Sequence, residues 1–147
     1  MYILLFVRNN TNISNINSGE LIVHFIDIGQ GDAILIQSPI NQFVLIDTGS
    51  RTYSNTLISY LDDLNVNTIE AFIATHPHED HIGSVQEIFY EYEIKSVYHP
   101  GYYSSTATYA RFISSIESEG CPISTDAQLD PGDYISIIPS INCQILI

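Results

Sequence analysis

The sequence predicts an α/β domain, a mixed sheet with helices packed outside it. Three observations carry that expectation. Between Glu20 and Asp47 the chain holds three short apolar, β-branched runs separated by turn residues. Beyond them, helical and strand-like stretches alternate. Over 147 residues, 45% of them hydrophobic, one compact core is attainable and a folded rather than disordered chain is expected.

Taken in order, residues 1–19 are an apolar start, Tyr2 to Val7, and a polar linker, RNNTNISNINSG, in which nothing periodic could be buried. The start lacks a basic flank and a small-residue cleavage site. No apolar run approaches the roughly 20 residues of a membrane-spanning helix. The folded unit is expected over residues 20–147. LIVHFIDI, AILIQ and FVLID read as three strands, joined through Gly29-Gln30-Gly31-Asp32 and through Ser38-Pro39. Two of them are dense enough in apolar residues for burial on both faces. Leu57, Ile58, Leu61 and Leu64 predict a helix at about residues 53–64, and Ile69 to Thr75 returns to strand character. Past a loop at 76–81, Val85, Ile88, Phe89 and Tyr92 predict a second helix beginning near Gly83, with Glu87 and Glu91 on its solvated side. Lys95 to His99 reads as a short strand. Tyr109, Phe112, Ile113 and Ile116 mark a third helix that Gly120 can end in the left-handed conformation. The tail, a turn at 129–133 followed by YISIIPSINCQILI, reads as one or two strands.

Charge narrows the functional classes. Against 17 acidic residues stand only Arg8, Arg51, Lys95 and Arg111, a net charge of -13. That balance excludes tight nucleic-acid binding through a basic surface. Cys121 and Cys143 form neither a disulfide scaffold nor a Cys-x-x-Cys metal knuckle and are expected as unpaired thiols.

One segment carries chemistry. Thr75-His76-Pro77-His78-Glu79-Asp80-His81 gathers three of the chain's five histidines with an aspartate. At this composition His-x-His-x-Asp-His arises by chance about three times in ten thousand chains, so the motif is specific. Imidazole and carboxylate are the usual ligands of zinc. In an extended segment His76 and His78 point to one side and can reach one ion. Asp80 and His81, where the chain turns into the next helix, can project toward a second. Two metals together can polarise a scissile bond and hold a bridging hydroxide. The plainer alternative is a metal-free histidine-rich loop. Histidine rather than carboxylate at position 78 favours zinc and hydrolysis over di-iron redox chemistry, with Mn²⁺ or Fe as other candidates.

His76-x-His78-x-Asp80-His81 after a strand resembles the signature of the metallo-β-lactamase fold superfamily, mostly hydrolases of esters, phosphodiesters, thioesters and amides. Phe25 to Ala33, with Leu45-Ile46-Asp47-Thr48-Gly49, is similar to the metallo-β-lactamase-like domain of ComEC/Rec2-type competence proteins, which take part in DNA uptake. Tyr98-His99-Pro100-Gly101-Tyr102 and the Tyr109 to Gly120 helix extend that likeness over about residues 20–135. The resemblance implies an αββα sandwich, of which this chain would be the N-terminal half to two-thirds. It implies that His76 and His78 hold the first zinc, and that Asp80 and His81 serve the second, Asp80 also orienting the attacking water. Asp32 and Asp47 would border the site, with ordinary turn aspartates as the alternative. His99 is a candidate for lining the cleft, and His24, inside a strand, is expected to be a satisfied histidine rather than a ligand.

The sequence departs from the family pattern in two ways. Gly83-Ser84 replaces the usual Gly-Gly. The further histidine, bridging aspartate and last histidine of the family's second half have no counterpart, since no histidine follows His99 and Asp126, Asp130 and Asp133 sit in turn-like sequence. The reading is a metal-dependent hydrolase that uses a metal-bound hydroxide on a phosphodiester or other ester and needs the missing C-terminal half for full activity. DNA uptake or processing, with nucleic acid as a partner, follows from the resemblance alone. The alternative is a non-catalytic fragment or binding module with a partial metal site. Self-association is expected through exposed end strands. Linker and resemblance lean toward the cell envelope or an extracytoplasmic location, with the cytoplasm as the alternative.

Overall fold

The computed structural model of the chain describes residues 20–101, 103–125, 134–138 and 141–144. The linker expected before Glu20 and the turn expected at 129–133 lie outside these residues, as do Asp126, Asp130 and Asp133. The strands are β1 (Ile22–Phe25), β2 (Ile34–Gln37), β3 (Phe43–Ile46), β4 (Thr68–Ile69), β5 (Ala71–Ile73), β6 (Glu93–Ile94), β7 (Val97–His99), β8 (Ile123–Thr125), β9 (Tyr134–Ile138) and β10 (Ile141–Gln144). The helices are α1 (Ser54–Asp63), α2 (Glu79–Ile82), α3 (Val85–Glu91) and α4 (Ala107–Glu119), and a 3₁₀ turn, Arg51–Tyr53, leads into α1.

Six strands make one mixed sheet in the order β1-β2-β3-β5-β7-β8. The first three pair antiparallel as a meander, and β3, β5, β7 and β8 run parallel, which requires the helical crossovers between them. The expected α/β architecture with a mixed sheet is the one observed, and it corresponds to part of an αββα sandwich. Strands β9 and β10 form a separate antiparallel pair.

Register explains the core. Leu35, Leu45, Phe72 and Val97 pair side by side on one face of the sheet. Each is fully buried there with Leu57 and Leu61 of α1, Ile88 and Phe89 of α3, and Phe112 and Ile116 of α4. Phe72 meets Phe89 and Phe112 edge to face at 5.3 and 6.3 Å. On the opposite face Val44 and Ala71 are also fully buried, so β3 has the two-sided burial its apolar run predicts. Strand β1 does not: it lies at the sheet edge, and Phe25 is exposed.

Several boundaries shift for identifiable reasons. The strand expected over Ile69 to Thr75 breaks at Glu70, whose N–H bonds to Phe43. Before the break β4 pairs with β6, and after it β5 enters the main sheet. The strand expected over Lys95 to His99 begins only at Val97, and the preceding Glu93–Ile94 pairs instead with β4. The second helix, α3, begins at Val85, close to the expected Gly83, but the loop expected at 76–81 already holds the short α2, with Glu79 and Asp80 in its first turn where they complement the helix dipole. Glu87, expected on a solvated face, pairs with Arg51 Nε at 2.7 Å. Helix α4 matches its prediction: the Thr106 hydroxyl caps it by accepting from Tyr109 N–H, and Gly120 ends it at φ 67°. Cys121 is a free, half-buried thiol whose pKa is raised by burial, with Glu119 adding to the rise. Among the described residues no helix is long and apolar enough to cross a membrane.

Candidate metal centre

The parallel arrangement places the ends of β3 and β5 at the same edge of the sheet, and the turn between β1 and β2 opens at that edge too. Three segments meet there, and backbone hydrogen bonds stitch them together. Asp32 N–H donates to the Asp80 carbonyl at 3.2 Å and Gly49 N–H to the Asp32 carbonyl at 2.8 Å, while Thr48 N–H reaches the His81 carbonyl at 2.6 Å. Gly31, at φ 106°, is required for this approach: a Cβ there would lie 1.8 Å from the Asp80 carbonyl oxygen. The Gly-Gln-Gly-Asp turn thus seats the helix that carries Asp80.

Asp47 sits at the centre. It adopts the left-handed region at φ 56°, which aspartate tolerates better than most residues, and it is 1% exposed. Its Oδ1 accepts from Thr75 N–H at 2.8 Å, and its Oδ2 accepts from the Thr75 hydroxyl at 2.5 Å and lies 2.7 Å from His81 Nδ1. A carboxylate so placed makes Nδ1 of His81 the protonated nitrogen and leaves Nε2 with a lone pair facing outward.

The ligand atoms of His76, Asp80 and His81 lie within 4.8 Å of one another, all three residues being half-buried. His81 Nε2 is 3.9 Å from Asp80 Oδ2, and the His76 and His81 rings are 3.7 Å apart. His78 belongs to neither donor triplet among the described residues. It is the N-cap residue of α2, with its ring 4.7 Å from that of His76. The expected pairing of His76 with His78 is therefore not the tightest grouping, because the chain bends after β5 instead of continuing as an extended strand. A second triplet, Asp32, Asp47 and His81, meets the same distance limit, but Asp32 is mostly exposed and its carboxylate is 3.8 Å from His81 Nδ1. Both triplets draw on His81, and the acceptors of Asp47 are already engaged.

His99 stands apart from both triplets, its ring edge-on to Phe112 and its Nδ1 accepting from Gly101 N–H. His24 is satisfied by Tyr60 and Gln37. Three contributors escaped sequence reasoning. Thr75 bonds Asp47 twice. Glu79, inside the motif but turned from the donors, accepts from Ser50 Oγ and Arg51 N–H and so ties α2 to the 3₁₀ turn. Ser84, in place of the second glycine, donates its hydroxyl to the Ser50 carbonyl at 2.9 Å. The signals were present as two hydroxyls beside the motif and a carboxylate within it, but their partners are distant in sequence.

Residues 26–133 match the family model of the metallo-beta-lactamase superfamily. The chain is 28% identical over 137 residues to ComE operon protein 3 of Bacillus subtilis (strain 168), an alignment that covers 82% of this chain and 17% of that protein. The chain thus spans about a sixth of the length of the relative it matches.

Proposed function

The chain belongs to the metallo-beta-lactamase superfamily, and from that premise we propose that it is a metal-dependent hydrolase acting on a phosphodiester or another ester. The observation that carries this reading is the donor set itself. Two imidazoles and one carboxylate converge within 4.8 Å, and His81 is clamped at its far nitrogen by a buried aspartate. The donor chemistry fits zinc, or Mn²⁺ or Fe in its place. His76, Asp80 and His81 would hold the ion, with His78 alongside. A bound divalent ion supplies Lewis acidity and brings the pKa of water toward neutrality. Asp80, one-third exposed, faces the same space and would orient the attacking water and accept its proton. Asp47 and Asp32 would keep the two loops in place. The acidic exterior does not forbid an anionic substrate, because a divalent ion held by these residues would supply positive charge for a phosphate. The competence-type motifs of the sequence support nucleic acid as the phosphodiester.

The test is metal analysis of the purified chain by mass spectrometry, followed by hydrolysis of bis(p-nitrophenyl) phosphate with Zn²⁺ or Mn²⁺. Turnover should fall by about 10²-fold or more in Asp80→Asn. Bound metal without turnover would instead support a binding module. The sharing of His81 between the two donor triplets favours that second reading to the extent that one ion, rather than two, is held by these residues. A chain that binds no metal would overturn both.

A further inference from the structure

We propose that Thr75 is a positioning residue: its hydroxyl relays the buried Asp47 carboxylate to His76, fixing which ring nitrogen His76 offers to a metal. The Thr75 oxygen lies 2.5 Å from Asp47 Oδ2, 3.0 Å from His76 Nδ1 and 3.4 Å from His81 Nδ1. A hydroxyl has one proton to give. Two oxygens at 2.5 Å with no proton between them would repel, so that proton points to Asp47. The lone pairs of Thr75 then face His76, and His76 Nδ1 must carry the hydrogen in that contact. Its Nε2 is left unprotonated and available to an ion. His81 reaches the same state directly, by donating to the same carboxylate oxygen. One buried aspartate thus sets the tautomer of two imidazoles, the second through a threonine. The backbone N–H of Thr75, bonded to Asp47 Oδ1 at 2.8 Å, holds the relay in register.

The claim about metal rests on the proposed function, whereas the claim about the tautomer stands without it, and the experiment separates the two. Long-range ¹H–¹⁵N correlation on the metal-free full chain should show His76 protonated at Nδ1 in the wild type and in Thr75→Ser. In Thr75→Val that preference should be lost. Thr75 is exposed, so valine opens no cavity; should it fail to fold, Thr75→Ala carries the same expectation. Zinc affinity, read by competition with a chromophoric chelator, should fall about 10- to 100-fold in Thr75→Val and recover in Thr75→Ser. A valine variant that keeps the Nδ1 tautomer, or a serine variant as impaired as valine, would overturn the relay. If the wild type binds no zinc, the metal reading falls, and the tautomer measurement still decides for or against the hydroxyl.

Discussion

Two histidine-centred networks in this domain are built from similar parts and leave their rings in opposite chemical states. At the β1 edge, His24 Nδ1 meets the Tyr60 hydroxyl at 2.9 Å and Nε2 meets Gln37 Oε1 at 3.1 Å. The Gln37 amide then donates to Asn41 Oδ1 at 2.9 Å. Every partner is neutral and both ring nitrogens are consumed. Burial lowers the His24 pKa, partly opposed by the Gln37 hydrogen bond, and burial also raises that of Tyr60. At the other network, a buried carboxylate takes one nitrogen of His81 and the second stays open beside Asp80 and His76. A carboxylate at one nitrogen primes the other for a metal, whereas neutral partners at both close the ring to chemistry.

The comparison can be broken most severely at Asp47. Alanine there removes the acceptor of three hydrogen bonds, from the N–H and hydroxyl of the exposed Thr75 and from Nδ1 of the half-buried His81, so at about 1 kcal/mol each Asp47→Ala should lose about 3 kcal/mol in urea unfolding. Zinc affinity should fall about 10- to 100-fold with it. A variant of unchanged stability and affinity would show that the carboxylate does not organise the site.

Gly31→Ala asks whether the donors also depend on backbone seating. The added Cβ meets the Asp80 carbonyl oxygen at 1.8 Å from a φ of 106°, so about 1–3 kcal/mol of stability and part of the zinc affinity should go together. Loss of stability with full affinity would uncouple the turn from the site.

The His24 network should behave as the control. His24→Phe leaves the Tyr60 hydroxyl and Gln37 carbonyl without the ring, at a cost of about 1 kcal/mol or less, and leaves zinc affinity unchanged. A drop in affinity would mean the networks are coupled.

The smallest effect is on pH. The folded-state pKa of His24 lies below its ordinary 6.5, so the unfolded chain takes up the proton first. Its contribution is complete above about pH 6.5 and is lost as pH falls toward the folded-state value. Between pH 7.5 and 5.5 the wild type should therefore lose more stability than His24→Phe, measured as the shift in urea midpoint. Equal slopes would contradict the assignment.

Much of this was legible in the sequence because its causes are local. The three meander strands, α1 and α4 follow from apolar period and from turn and cap residues within a few positions. The metal motif is legible because four donors fall within six residues. The start of α2 was legible but missed, since Glu79 and Asp80 are first-turn residues at a helix N-terminus. The break at Glu70 was not, because it reflects a change of strand partner rather than any property of Glu70.

By itself the sequence determined the α/β class and which side chains could hold a metal, since composition, period and spacing act over short stretches of chain, and its motifs carried the family. Only the tertiary structure decided how those side chains are used. It brought Asp47 to Thr75 and His81, laid Gly31 against Asp80, left His78 outside the tightest donor set and closed the ring of His24. A tautomer or an open lone pair depends on contacts of a few ångströms between residues tens of positions apart. Those contacts exist only once the parallel strands have brought their ends to one edge of the sheet.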